Sequence, residues 1–202
     1  VGLAKAFIIP DIVLFINGLP VVVVECKYPN SYTANPMEEA VRQILRYSNR
    51  RYFSEGISEK EGEERLFHFN QLCIATCGEQ AKLGSISSFY EHYLEWKDIY
   101  PEQYNNFESP LGAVRSQETL IQGVLPPATL LDMIRNFIIF METEKGSLVK
   151  VVCRYQQQRA VGKAIARMLE GKKWQERSGV IWHTQGSGKS LTMVFLIRKM
   201  RS

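Results

Sequence analysis

The spacing of apolar positions changes several times along the chain, and each change marks an element. Residues 7–15 and 19–24 are rich in β-branched and aromatic side chains and flank Asn17-Gly18, which predicts an antiparallel hairpin. The second strand reads Val21-Val22-Val23-Val24-Glu25-Cys26-Lys27, apolar on both faces until its last three positions, the pattern of a central strand. A helical period follows, with Met37, Ala40, Val41, Ile44 and Leu45 on one stripe. Asn35 suits its N-cap and Pro36 its first position, with Glu38 at capping-box spacing. Residues 70–77 return to a strand pattern, and 81–87 supply a partner across Gly78. Residues 119–125 and 127–141 read as helices, the second with Leu130, Leu131, Ile134, Phe137, Ile138 and Met141 on a broad apolar face. Another helix covers 159–169, and the chain closes on a short apolar strand at 179–183, a glycine-rich turn and a helix at 191–200. Loops are expected at 54–64, 101–110 and 143–147.

Composition adds bounds. A chain of 202 residues, 45% hydrophobic and 23% charged, suits one sizeable domain or two small ones and excludes disorder, collagen and coiled coil. The longest apolar runs, 21–24 and 137–141, fall far short of the ~20 residues of a membrane-spanning helix, so no membrane partner is expected. The opening Val1-Gly2-Leu3-Ala4-Lys5 has neither an initiator Met nor signal-peptide character and reads as an internal cut in a longer chain. Four cysteines without disulfide-framework spacing point to a reducing compartment, the cytoplasm, with Cys73 and Cys77 as packing residues. Phe89, Tyr90, Tyr93, Trp96 and Tyr100 are read as core. Residues 1–150 hold 14 Lys and Arg against 19 Asp and Glu, whereas 151–202 hold 11 against 2. The shift supports a boundary near 150 and a second part that either meets an anionic partner, nucleic acid or nucleotide, or has its basic surface neutralised by the remainder of a longer chain.

The strand end carries candidate chemistry. Alternation puts Glu25 and Lys27 on one face and Cys26 on the other. A strict two-residue loop would set Asp11 opposite Val24, on the wrong face from Glu25. A bulged or odd-length connection brings both acids to one face, close enough to share a hard cation. Two carboxylates beside a lysine suit metal-assisted phosphodiester hydrolysis, with Mg²⁺ held by the acids and the ammonium acting on the attacking water. The alternative is a Glu25–Lys27 ion pair at a strand end with Asp11 merely solvated. On the next helix, Gln43, Arg46, Tyr47 and Arg50 share a face whose donors suit a phosphate backbone, or a solvated face with Tyr47 packed on a neighbour.

Pro10-Asp11 followed by Glu25-Cys26-Lys27, within PDIVLFINGLPVVVVECK, resembles the PD-(D/E)xK nuclease signature as it occurs in restriction (motor) subunits of type I restriction-modification enzymes. Gln43-Ile44-Leu45-Arg46-Tyr47 matches that family's Gln-x-x-x-Tyr motif. The resemblance implies an α/β fold, a PD-(D/E)xK restriction-endonuclease-like mixed sheet flanked by helices over 1–150, with helices bridging to an incomplete RecA-like segment over 151–202. It implies Asp11, Glu25 and Lys27 as catalytic residues, Asp11 and Glu25 as metal ligands, and Gln43 and Tyr47 as residues positioning the nuclease on DNA. It further implies double-stranded DNA as substrate, ATP-driven translocation, and methyltransferase and specificity subunits as partners. A repair helicase-nuclease and a catalytically inactive docking module are the competing readings. Family members usually carry more nuclease domain before the Pro-Asp motif, including an acidic residue on an N-terminal helix.

Near the end, Thr184-Gln185-Gly186-Ser187-Gly188-Lys189-Ser190 lies between the expected strand and helix, the context of a Walker A loop. Its backbone N–H groups would cradle ATP phosphates, Lys189 would reach the β- and γ-phosphates and Ser190 would ligate Mg²⁺. His183 stands where the strict pattern has Gly, a departure shared with superfamily 2 helicases, which the type I motor resembles. By the same resemblance Gln157, in Arg154-Tyr155-Gln156-Gln157, is the candidate reader of the adenine edge. Twelve residues follow Ser190, too few for Walker B acids or a second lobe, so this chain by itself is expected to lack ATPase activity.

Overall fold

The computed structural model describes residues 7–29, 34–51, 55–57, 60–102 and 116–202. Four strands form one sheet in the order β1 (Ile12–Ile16), β2 (Leu19–Lys27), β3 (Leu72–Cys77) and β4 (Gln80–Gly84). β1 and β4 run antiparallel to their neighbours while β2 and β3 are parallel, so the sheet is mixed and β2 is central, as its two-faced apolar run requires. The parallel step is crossed by α1 (Pro36–Tyr47).

The first hairpin resolves the register question. Asn17 and Gly18 both take positive φ, 49° and 80°, as a two-residue loop demands, and Ile16 pairs with Leu19. Pro20 has no N–H for the ladder, and a bulge follows at once: Phe15 faces Pro20 but Leu14 faces Val22. The extra residue, Val21, turns its carbonyl to the Gln71 N–H at 2.7 Å. Beyond the bulge Ile12 faces Val24, the last pair of the ladder, and the same register continued one step would put Asp11 beside Glu25. This register also sends Leu14 with Val22 to one face and Val13 with Val23 to the other, each into an apolar cluster. Strand β1 begins at Ile12 rather than Phe7, after the ladder-breaking Pro10.

On one face Met37, Ala40, Val41, Ile44, Leu45 and Tyr47 of α1 seal Val23, Cys73 and Ala75. Burying Met37, Val41, Ile44 and Leu45 at about 2 kcal/mol each gives this helix most of its stability. Asn35 caps it, its Oδ1 accepting from the Glu38 N–H at 3.2 Å. The Glu38 carboxylate accepts from the Asn35 side-chain amide, so the cap closes through side chains. The opposite face meets α2 (Ser116–Val124) and α3 (Pro127–Asn136), whose Leu120, Val124, Leu130 and Met133 join Val22, Val24, Leu72 and Ile74. Trp96 and Tyr93 are buried as expected.

Two expected elements differ. The helix predicted over 127–141 stops at Asn136, and residues 138–142 form β5 (Ile138–Glu142), paired antiparallel with β6 (Leu148–Val152). An apolar run this short is compatible with either element, and the partner strand decided it. Residue 150, near the charge boundary, falls inside β6. There the Lys150 ammonium donates to the Asn70 carbonyl and the Ser85 hydroxyl donates to the Lys150 carbonyl at 2.6 Å. Residues 179–183 belong to no sheet; Val180 and Trp182 are each 88% exposed, because an extended segment becomes a strand only with a ladder partner. Helices α4 (Tyr155–Glu170), α5 (Trp174–Arg177) and α6 (Lys189–Met200) complete the chain, with Val161 and Phe195 buried in the cluster that reaches Val22. The loop at 143–147 is present, closed by Thr143 N–H to the Ser147 carbonyl, and the described part of 54–64 is irregular over 56–57 and 60–63, as expected, whereas 101–110 lies largely outside the described residues. No helix among the described residues is long and apolar enough to cross a membrane.

Candidate active site

Glu25, Lys27, Asp11, Gln43 and Tyr47 meet where β1, β2 and α1 converge. Glu25 is 1% exposed. Its Oε1 accepts from Lys27 Nζ at 2.8 Å, while its buried Oε2 has no hydrogen-bond partner among the described residues. Such an atom costs stability unless another group completes it. Burial raises the Glu25 carboxyl above its usual range, against the hydrogen bond and charge of Lys27, which lower it, and with a smaller upward push from the charge of Asp11.

Asp11 is exposed, and its Oδ2 accepts from the Cys26 N–H at 2.7 Å. β1 leaves the ladder at Ile12, so the side chain takes the place a backbone carbonyl would have filled. That bond holds the Asp11 carboxylate beside the Glu25–Lys27 end of β2. Cys26 turns away on the other face and is exposed.

Lys27 Nζ makes a second bond, to Gln43 Oε1 at 2.6 Å. Gln43 Nε2 donates to the Tyr47 hydroxyl at 2.5 Å, and that hydroxyl donates to the Ile9 carbonyl at 2.8 Å. The one-turn spacing of Gln43 and Tyr47 was visible in the sequence, but their surroundings differ from the DNA-facing surface expected. Tyr47 is 1% exposed, buried against β2, and Arg50 lies beyond the end of α1. The Ile9 carbonyl and the Cys26 N–H, both backbone groups, carry no sequence signal and were not anticipated.

The donor set suits a hard cation. Two carboxylates with one orphaned oxygen match Mg²⁺, which commonly takes one or two protein acids and fills the rest of its shell with water and substrate phosphate. No group of three His, Cys, Asp or Glu side chains that could hold a metal ion is found among the described residues.

The second candidate site is the loop before α6. Gly186 and Gly188 take φ of 76° and 79°, left-handed values that let the backbone curl over the helix N-terminus. Lys189 Nζ folds across the loop to the carbonyls of His183 at 3.1 Å and Thr184 at 2.9 Å, and the Ser187 hydroxyl donates to Thr184 O at 2.7 Å. Gln185 and Ser190 are exposed beside it. Gln157 is drawn to the same place: its Oε1 accepts from the Arg154 N–H at 2.8 Å, and its Nε2 donates to Gly188 O at 3.0 Å. Gln157, the expected adenine reader, thus lies against the glycine-rich loop with its amide engaged at both ends.

Comparison with known proteins matches these two sites separately. Residues 4–89 match the family model described as Type I restriction enzyme R protein N terminus, and residues 156–202 match that described as SWI2/SNF2 ATPase. The Type I restriction enzyme HindI endonuclease subunit of Haemophilus influenzae is 34% identical over 194 residues, covering 95% of this chain and 17% of that protein. The putative type I restriction enzyme MjaVIIIP endonuclease subunit of Methanocaldococcus jannaschii is 33% identical over 195 residues, covering 94% and 16%. A Staphylococcus aureus endonuclease subunit is 27% identical over 185 residues, covering 90% and 16%. The chain therefore spans about a sixth of the length of the curated relatives it matches. With one family model matching residues 4–89 and relatives 34% and 33% identical across nearly the whole length, this chain belongs to the family of type I restriction enzyme R proteins.

Proposed function

We propose that this chain supplies the PD-(D/E)xK nuclease centre and the first phosphate-binding segment of the motor of a type I restriction enzyme, which cleaves double-stranded DNA with Mg²⁺ and moves along it with ATP. One observation carries the reading: past the hairpin bulge the Asp11 carboxylate is held on the Cys26 N–H, next to Glu25, whose Oε2 is buried without a partner among the described residues beside the Lys27 ammonium. Asp11 and Glu25 would hold Mg²⁺, which when bound offsets negative charge developing on the phosphoryl oxygens. Lys27 commits two of its three N–H donors to Glu25 and Gln43, leaving one to orient the attacking water or a phosphate oxygen. Burial of Glu25 keeps competing water off the Lys27–Glu25 pair.

At the loop before α6, Lys189 would exchange the His183 and Thr184 carbonyls for nucleotide phosphate, with the backbone N–H groups of residues 186–190 as the cradle and Ser190 near the bound Mg²⁺. Methyltransferase and specificity subunits, implied by family membership, would supply recognition of the DNA sequence. The test is Lys27→Ala in the whole restriction subunit assembled with those partners. Loss of DNA cleavage with ATP hydrolysis retained supports the nuclease reading. Undiminished cleavage refutes it and makes the fold a docking module. In parallel, electron paramagnetic resonance should detect Mn²⁺ bound to this chain, and Asp11→Asn or Glu25→Gln should weaken binding by at least about tenfold.

A further inference from the structure

We propose that Gln43 and Tyr47 are positioning residues for Lys27, joined to it by a directed hydrogen-bond chain that starts at the Ile9 carbonyl and holds the ammonium in register with Asp11. The inference rests on the nuclease reading and gives these two residues a role other than contact with DNA.

The direction of the chain follows from counting protons. A tyrosine hydroxyl has one, and Tyr47 donates it to Ile9 O. Its oxygen can then only accept, which requires the amide nitrogen of Gln43 to face it. The Gln43 carbonyl oxygen is thereby turned toward Lys27 Nζ, where it accepts at 2.6 Å. A flipped amide would press NH₂ against an ammonium and leave Tyr47 facing an acceptor with no proton to offer. The backbone carbonyl of Ile9 thus decides the orientation of an amide on α1 and, through it, where the lysine's remaining proton points.

The same anchor serves the acid. Ile9 is two residues before Asp11, and the whole segment lies outside the ladder, which ends at Ile12. Pinned by Tyr47, that segment delivers the Asp11 carboxylate to the Cys26 N–H. One buried hydroxyl therefore references both ends of the catalytic group, the acid arriving from β1 and the lysine standing on β2. At 1% exposure Tyr47 has no surface to offer a phosphate backbone, so its work is done from below the site.

Tyr47→Phe removes only the oxygen and keeps the ring; Gln43→Leu removes the acceptor at a half-buried position and provides a second variant if the first unfolds. In the assembled restriction enzyme both are expected to lower kcat for DNA cleavage about 10- to 100-fold while KM for DNA stays within about twofold, the signature of a misplaced reacting group. A rise in KM or a shallower salt dependence at unchanged kcat would mean a DNA contact and overturn the proposal. Independently of activity, the ¹⁵N-labelled Lys27 ammonium of this chain, assigned by its disappearance in Lys27→Arg, should shift and broaden in Tyr47→Phe. An unmoved resonance overturns the proposal even if cleavage falls. Should Lys27→Ala leave cleavage intact, it is the nuclease reading that fails, and the resonance still reports whether the chain orders the lysine.

Discussion

Lys27→Met tests the electrostatics of the candidate nuclease centre without any substrate. The substitution keeps the length of the side chain and removes the ammonium that Glu25 Oε1 accepts from at 2.8 Å, leaving a carboxylate that is 1% exposed and already has one unpartnered oxygen. Removing one partner of a fully buried pair costs about 3–5 kcal/mol. Here the lysine side chain retains 18% exposure against 2% for the glutamate, so a loss of about 2–3 kcal/mol is expected. Glu25→Gln removes the charge that needs compensation, so the same Lys27→Met change in a Glu25→Gln background should cost only about 0.5 kcal/mol, and the coupling between the two sites should be about 2 kcal/mol. Urea denaturation at pH 7 in the presence of a chelator, with all four proteins showing the same dependence on denaturant, measures each corner of the cycle. Adding Mg²⁺ should then stabilise the wild-type chain by about 2.7 kcal/mol at a hundredfold excess over Kd and leave Glu25→Gln unmoved. An equal cost of Lys27→Met in both backgrounds would show that Glu25 does not depend on the ammonium, and the physical basis of the proposed site would fall with it.

Two further outcomes follow from other parts of the structure. A Cβ built on Gly62 would stand 2.1 Å from the Tyr47 carbonyl oxygen, so Gly62→Ala must push the loop away. It would thereby break the Glu63 N–H bond to Tyr47 O and the Glu61 and Gly62 N–H bonds to Asn49 Oδ1, at about 2–3 kcal/mol in total. A denaturation midpoint matching wild type would refute the close approach. The Glu55 carboxyl is held at about 2 by hydrogen bonds from Arg42 and Arg51. Because the folded state depresses this pKa, its contribution is present above about 4.5 and lost as pH falls toward about 2. With Arg42 59% exposed, solvent screening trims that contribution to about 1 kcal/mol, so Glu55→Gln should cost this much at pH 7. The gap between the two proteins should close as denaturation is repeated at lower pH, and a gap independent of pH would sink the assignment.

Much was determined by the sequence alone because it depends on neighbours close along the chain. The Asn17-Gly18 loop, the Asn35 cap with Pro36, the apolar stripe of α1, the two-faced apolar run of β2 and the glycine loop before α6 are all short-range consequences of conformational preference and period. Tertiary structure decided what depends on partners distant in sequence. Residues 138–142 became a strand because 148–152 lay ready to pair, and 179–183 did not because no ladder was offered. Asp11 came to lie beside Glu25 through a bulge at Val21, forced by a proline without an N–H and by the demand that Leu14 and Val13 each reach a different core. Side-chain spacing placed Gln43 and Tyr47 on one face, but whether that face met solvent or lysine depended on where α1 came down on β2, and the burial of Tyr47 against that strand settled it. Local rules specify which atoms are available; packing specifies which of them meet, because a buried polar group must find its partner wherever the fold has brought one.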